Sequence, residues 1–392
     1  MILIEIFLVF CITVVSIPGL VLFFQVLLAT LPRRRGEIKD YRPTVTVLVP
    51  AHDEAVVIAK TLASILPQLI PGDRLLVVAD NCSDGTAKIA SQAGAEVITR
   101  QDAIRRGKGY ALDFGVRHLD KAPTEVLLVV DADCQVLSGS IESLAKVCYA
   151  SNRPVQSLNL MRAPLDAMLP LRIAEFAWIV KNHVRPLGYA RIGLPCQLMG
   201  TGMAFPWDII RNTSLASGHL VEDLKLGLDL AKLGKAPMFY PDAMVTSLFP
   251  VCAEGIQEQR TRWEHGHLDV MKRDVAKLFL EALRSGNTAL LALVLDLCVP
   301  PLALLVLLAM TLAITSAVLL LATGLSLPLL LSALLLAMLG FAVMLSWMLF
   351  GREKITWIDL AYAPVYALHK IPLYLKFLVN RQIEWVRSNR DG

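Results

Sequence analysis

The stretch Val126-Leu127-Leu128-Val129-Val130-Asp131-Ala132-Asp133 decides how the chain is read. Five aliphatic residues in a row describe a strand buried on both faces, and two carboxylates follow where that strand ends. Taken alone, an Asp-x-Asp equally describes a solvated turn or a helix N-cap. At the carboxyl end of a buried strand it marks the edge where open α/β sheets bind their ligands.

Upstream, short β-branched runs alternate with helical stretches. Thr44 to Val49 reads as a first strand ended by Pro50, after which Asp53-Glu54 open a helix through Leu66, acids in its first turn as the helix dipole prefers. A second strand, Leu75 to Ala79, ends at Asp80 and the turn Asn81-Cys82-Ser83-Asp84-Gly85, with a helix from Thr86. Ala95 to Ile98 is a third strand, and a helix follows over Lys108 to His118. This alternation points to the α/β class, in the manner of a doubly wound parallel sheet. Asp80 is then a second acid just past a strand end. No G-x-G-x-x-G follows the first strand, and Gly107-Lys108-Gly109 lacks the upstream Gly and following Ser or Thr of a P-loop, which speaks against the dinucleotide and ATPase readings.

The whole chain has 392 residues, 55% of them hydrophobic and 18% charged, with a mean hydropathy of +0.56. An ordinary soluble domain is less apolar and carries more charge, so a water-soluble globule alone is excluded. A net charge of +4, dispersed along the chain, gives no nucleic-acid surface. Seven scattered cysteines, an odd number without a C-x-x-C pair, fit a reducing compartment.

The apolar excess lies at the two ends. Residues 1–31 carry one charge, Glu5, and Arg33, Arg34 and Arg35 follow at once, the reverse of the order in a secretory signal. This is expected to be a transmembrane anchor with its arginines in the cytoplasm. Residues 288–350 carry only Asp296 and are broken at Pro300-Pro301 and Thr323-Gly324, giving two further crossings. In 355–380, Trp357, Tyr362, Tyr366 and Tyr374 mix with Asp359, His369, Lys370 and Lys376, the composition of an interfacial or re-entrant amphipathic helix. Arg381, Arg387 and Arg390 place the C-terminus in the cytoplasm, and residues 41–284 between the apolar ends form a cytoplasmic domain of a multi-pass inner or plasma membrane protein.

Three more clusters offer chemistry. Val221-Glu222-Asp223-Leu224 heads an apolar helical run; its acids either complement the helix dipole or supply a general base in Asp223. Just upstream, Gly200-Thr201-Gly202-Met203 is a backbone that a ligand can approach closely, or a glycine turn. In Gln259-Arg260-Thr261-Arg262-Trp263, a helix puts Gln259, Arg262 and Trp263 on one face: an amide, a guanidinium that grips a pyrophosphate, and a plane on which a sugar rests. An amphipathic helix with an interfacial Trp has the same pattern. His265 and His267 lack the nearby Cys of a zinc site, and Arg105, Arg106 and Lys108 form a small basic loop suited to phosphates or to plain solvation.

In this order, Asp80, Asp131-x-Asp133, Glu222-Asp223 and Gln259-x-x-Arg262-Trp263 resemble the D, DxD, (T)ED and Q-x-x-R-W signature of membrane-embedded family 2 glycosyltransferases. These include the cellulose, hyaluronan and chitin-oligosaccharide synthases and the ceramide glucosyltransferases. The resemblance implies a GT-A-like nucleotide-sugar-binding domain, a Rossmann-like mixed sheet, flanked by N- and C-terminal transmembrane helices. It further implies that Asp80 contacts the donor's nucleoside, that Asp133 assisted by Asp131 holds Mg²⁺ or Mn²⁺ on the diphosphate, and that Asp223, beside Glu222, deprotonates the acceptor. Gln259 and Arg262 then steady the leaving nucleoside diphosphate, Trp263 lines the acceptor site, and Lys108, Glu54, Gly200 and Thr201 complete the substrate site. Val221 departs from the Thr of many relatives, and Ala51-His52-Asp53-Glu54 from their Asn before Glu.

The implied reaction moves glucose or N-acetylglucosamine from a UDP-sugar to a growing saccharide chain, with inversion. Three spans are fewer than polymer-exporting relatives carry, which leaves room for an export partner, a homo-oligomer, or a single transfer to a membrane lipid. A membrane transporter or lipid-binding protein with a degenerate nucleotide fold is the rival of a different class; intact carboxylates at the three acidic motifs and the small number of spans speak against it.

Overall fold

A computed structural model describes residues 2–32, 40–164, 166–250 and 253–379. Arg33, Arg34, Arg35, Arg381, Arg387 and Arg390 lie outside the described residues. Two compact units divide the chain: one takes in residues 40–164 and 194–266, the other residues 2–32, 166–193 and 267–379.

The first unit is built on one eight-stranded sheet. Its strands are β1 (Val45–Ala51), β2 (Arg74–Asp80), β3 (Glu96–Arg100), β4 (Val126–Val129), β5 (Gln135–Val136), β6 (Val155–Arg162), β7 (Met203–Pro206) and β8 (Met238–Leu248), in the order β3-β2-β1-β4-β7-β6-β8-β5. The first four strands are mutually parallel, as the βα alternation requires. Beyond β4 the sheet is mixed: β7 runs antiparallel to both β4 and β6, while β8 is parallel to β6. The expectation of a wholly parallel sheet is thereby corrected, and the mixed sheet of the resemblance is what the chain builds. Helices cover both faces. Ile58 and Leu62 pack with Val47 and Val49 on one side, and Leu112 and Val116 with Leu48 and Val78 on the other. Residues of β1, β2 and β4 are buried on both faces, which is why they read as unbroken apolar runs.

Two local expectations fail for identifiable reasons. Pro50 does not end β1, which continues to Ala51 with Pro50 opposite Val78 of β2. Pairing with β4 stops at Leu48, so no ladder bond on that side calls for the N–H that proline lacks. Nor do Asp53 and Glu54 open a helix, which begins only at Ile58. Asp53 stands in the left-handed region at φ +52° and its carboxylate accepts the Ser83 and Asp84 N–H groups at 2.6 and 3.2 Å. The Glu54 N–H donates to Thr86 Oγ1 at 2.8 Å. These two residues tie the end of β1 to the turn after β2.

The second unit contains three helices long and apolar enough to cross a membrane, Ile2–Ala29, Leu302–Thr323 and Leu327–Gly351. Gly324, at φ +75°, ends the middle one in the left-handed cap that glycine adopts without strain. Residues 166–193, inside the span read as one soluble domain, belong to this unit instead. Arg185 explains the grouping: it donates to Gln25 Oε1 at 3.0 Å and to Asp296 Oδ1 at 2.7 Å, and Gln25 Nε2 also donates to Asp296 Oδ1. The lone charge of 288–350 is thus paired within the unit, as a charge among apolar helices must be. The tail forms three short helices, Trp357–Ala361, Ala363–Leu368 and Ile371–Val379, in place of one; Pro364 and Pro372 each stand in the first turn of a new helix.

Candidate active site

The site assembles at the carboxyl ends of the parallel strands. The Asp131 backbone N–H, just after β4, donates to Thr201 Oγ1 at 3.1 Å, and the Thr201 carbonyl accepts from Gln156 Nε2 at 2.9 Å. Gln156, wholly buried on β6, also accepts the Met199 N–H at 2.8 Å. The turn 199–202 is thereby stapled beside the Asp131 loop.

Gly200 is the point where the separate motifs meet. A Cβ built on it would stand 3.4 Å from Asp223 Oδ2, 3.6 Å from Lys108 Nζ and 3.9 Å from Asp131 Oδ2. Lys108, the first residue of the helix Lys108–Leu119, donates to the Gly200 carbonyl at 2.7 Å and forms an ion pair with Asp131. Burial lowers the pKa of Lys108, but Asp131, Glu222 and Asp223 outweigh it, and the ammonium is held charged above its ordinary range.

Gly202, at φ +64°, admits no side chain, since a Cβ there would collide with the Ser157 hydroxyl and lie 2.8 Å from Val245 Cγ2. Gly202→Ala should cost about 3 kcal/mol through overpacking and left-handed strain together. A thermal melt of the purified protein checks this, and an unchanged midpoint would contradict it.

Glu222 and Asp223 open the helix Glu222–Lys232. Burial first, and then the neighbouring Asp223 charge, push Glu222 up to about 7 from 4.5, with Lys108 opposing. Because its folded pKa exceeds the unfolded one, Glu222 contributes most to stability below about pH 4.5, and the contribution is lost as pH rises through about 7. Glu222→Gln, which mimics the protonated form, should therefore raise the melting midpoint of the metal-free protein at pH 8.5 and leave it nearly unchanged at pH 5. Equal effects at both pH values would refute the environment described.

Asp131, Asp133 and Cys134 bring potential ligand atoms within 4.8 Å of one another. Burial raises the Cys134 thiol well above its ordinary range, with Asp133 and Asp131 adding to the effect, and its Sγ faces Asp133 Oδ1 at 3.5 Å. Two hard carboxylates beside a protonated thiol are a donor set for Mg²⁺ or Mn²⁺, not for a thiophilic metal.

Asp80 ends β2, buried, with Arg100 at 2.6 Å. Glu54 sits at the same edge, its backbone bonded to Thr86. Gln259 is buried on the helix Ala253–Ser285, and Arg262 and Trp263 are half-buried there. At 100° per residue Gln259, Arg262, Trp263 and Gly266 share one face. A Cβ on Gly266 would lie 2.7 Å from Val221 Cγ1, so this face abuts the residue preceding Glu222 and Asp223. An apolar Val221 suits that contact.

Sequence reading missed Arg100, Gln156 and the strap 214–219. The strap lies against Gly109, where a Cβ would come 2.6 Å from the carbonyls of Leu215 and Ser217. Ser217, His219, Met203 and Leu226 border a cavity of about 250 Å³ on which Asp223 also opens. A lone Arg at a strand end, a buried Gln and a Ser-rich loop carry no spacing that distinguishes them from ordinary turns.

The profile of the family described as "Glycosyltransferase like family 2" matches residues 43–266, more than half of the chain. The chain belongs to that family. It therefore carries a family 2 glycosyltransferase domain, and the four motifs, from Asp80 to Trp263, fall inside it. Among curated relatives, the probable glycosyltransferase YdaM of Bacillus subtilis is 27% identical over 64% of this chain and 61% of its own length. A poly-beta-1,6-N-acetyl-D-glucosamine synthase of Staphylococcus epidermidis is 21% identical over 59% of this chain and 56% of its own. The chain thus spans about three fifths of the length of these two relatives. Among solved structures, a mannosyltransferase from Pyrobaculum calidifontis in complex with GDP-Man and Mn²⁺ is matched over 94% of this chain and 97% of its own, with a TM-score of 0.57 and 19% identity. That likeness establishes the GT-A-like fold.

Proposed function

We propose that this family 2 protein is a membrane-bound, metal-dependent, inverting glycosyltransferase that moves a sugar of glucose or N-acetylglucosamine type from a UDP-sugar to a growing saccharide chain. The observation that carries the reading is the convergence of Lys108, Asp131 and Asp223 around Gly200. A base, a cation and a metal-competent carboxylate at one backbone point are what sugar transfer from a nucleoside diphosphate requires. Asp133 and Asp131 would hold Mg²⁺ or Mn²⁺, which when bound would supply positive charge for the departing diphosphate. Asp223 takes the proton of the acceptor hydroxyl as its oxygen attacks the anomeric carbon. The bond to the phosphate oxygen breaks, the electron pair leaves with the diphosphate, and the configuration inverts.

Lys108 flanks the leaving group, Gln259 and Arg262 steady it, and Trp263 offers its face to the acceptor. Gly200 and Thr201 keep the backbone close to the donor, with Asp80 and Glu54 toward its nucleoside. The relative that makes poly-N-acetylglucosamine supports a saccharide acceptor. The mannosyltransferase solved with GDP-Man and Mn²⁺ supports a nucleotide sugar and a divalent ion. Three candidate membrane helices support a membrane-bound enzyme and favour, as a second reading, single transfer to a lipid.

The test is nucleotide release by the full-length protein from UDP-glucose, UDP-N-acetylglucosamine and GDP-mannose, with and without Mn²⁺, in the presence of membrane lipid. Metal-dependent release of UDP with a ladder of saccharide products is expected; one organic-extractable product selects the lipid acceptor. No release from any donor would overturn the proposal.

A further inference from the structure

We infer that Cys134 is a positioning residue of the ion site: its S–H group holds one oxygen of Asp133, so that an ion is met through the other oxygen alone and octahedral Mg²⁺ or Mn²⁺ is selected over Ca²⁺. This deepens the proposed function and rests on its placement of the ion at Asp131 and Asp133. The loop that carries them is fixed along its backbone. The Asp131 N–H donates to Thr201 Oγ1 at 3.1 Å, the Ala132 carbonyl accepts from the buried Thr61 hydroxyl at 2.6 Å, and the Cys134 N–H closes a turn on the Asp131 carbonyl at 3.1 Å. These bonds set where Asp133 leaves the chain, but none of them touches its carboxylate. Cys134 does. Its side chain packs with Ala132, Val136 and Ile141 at 2% exposure, and its Sγ donates to Asp133 Oδ1 at 3.5 Å. The Thr201 hydroxyl bonds to the same sulfur, which braces the thiol against the turn 199–202.

A buried thiol is a neutral group with a proton to give, and here the proton is directed at Oδ1. It draws electron density from that oxygen and restrains rotation of the carboxylate, so Asp133 meets a cation through Oδ2. One oxygen apiece from Asp131 and Asp133 suits an octahedral ion that keeps the rest of its shell for water and phosphate. Ca²⁺ takes about six to eight oxygens and readily uses both of a carboxylate. With alanine at position 134 the brace is gone, and Asp133 can turn to offer both oxygens. Residues that orient a ligand without touching the ion typically govern the metal's hold by about 10- to 100-fold.

The experiment is Mn²⁺ binding to the full-length protein in detergent, followed by electron paramagnetic resonance, with Ca²⁺ as competitor. Cys134→Ala should weaken Mn²⁺ binding about ten-fold and leave Ca²⁺ binding unchanged or tighter, so that the preference for Mn²⁺ falls by about ten-fold or more. Cys134→Ser, which keeps a donor on a shorter arm, should recover part of the preference. A role in packing alone would weaken both ions alike, so an unchanged Mn²⁺-to-Ca²⁺ ratio in Cys134→Ala overturns the inference. If Cys134→Ala fails to fold, the infrared S–H stretch decides. The difference between wild type and Cys134→Ser should show a band lowered in frequency by hydrogen bonding, and the frequency of a free thiol would overturn the inference. Wild-type protein that binds no Mn²⁺ would overturn the ion site of the proposed function and this inference with it. Mn²⁺ binding whose preference ignores residue 134 counts against this inference alone, and a preference that depends on Cys134 without any sugar transfer counts against the proposed function alone.

Discussion

Asp223→Asn should lower turnover by about 10²- to 10⁴-fold, the contribution of a positioned general base, while leaving the affinity for UDP in the presence of Mn²⁺ unchanged. The geometry behind this is specific. Asp223 Oδ2 is the nearest side-chain atom to the Cβ position of Gly200, and the Lys108 ammonium stands at the same point. The asparagine is isosteric and opens the same helix, so the fold and the strap beside it persist; what is lost is the group that accepts the proton. Turnover with saturating donor, set against UDP binding by calorimetry, separates the two quantities. If turnover and UDP affinity fell in parallel, Asp223 would be a donor-binding residue and the assignment of the base would be wrong.

Asp133→Asn should produce the second large effect, about a 10³-fold loss in kcat/KM with Mn²⁺ present. Removing one of two carboxylates from a hard-cation site weakens the ion's hold and, with it, several kcal/mol of charge stabilisation on the leaving group. Raising Mn²⁺ should recover part of the loss, because the remaining Asp131 still offers a ligand. A steady-state titration of activity against Mn²⁺ is the check. Unaltered metal dependence in this variant would place the ion elsewhere.

Much of the sheet could be read from the chain because its central strands are buried on both faces and leave unbroken apolar runs, as in Val126–Val129. One cause recurs where reading failed, side chains acting on backbone distant in sequence. Asp53 and Glu54 follow a strand and precede an apolar run, the pattern of a helix start. Their bonds, however, go to a turn some thirty residues on, and φ +52° at Asp53 is invisible to periodicity. The antiparallel β7 carries no directional signal in Met-Ala-Phe-Pro.

At the site, Asp131, Glu222 and Asp223 are legible because carboxylates at strand and helix ends have few cheap explanations in combination. Arg100 is not, because its importance lies in the bond to Asp80, twenty residues earlier. Nor does composition reveal that residues 166–193 belong with the apolar helices. Arg185 has the look of a surface charge until its bonds to Gln25 and Asp296 are seen.

The central claim is that carboxylates from separate motifs form one metal and diphosphate site, and Mn²⁺ binding followed by electron paramagnetic resonance, with and without UDP, tests it most directly. UDP should tighten Mn²⁺ binding at least ten-fold, since the proposal puts the diphosphate on the same ion that Asp131 and Asp133 would hold. Mn²⁺ binding that is indifferent to UDP would contradict the account.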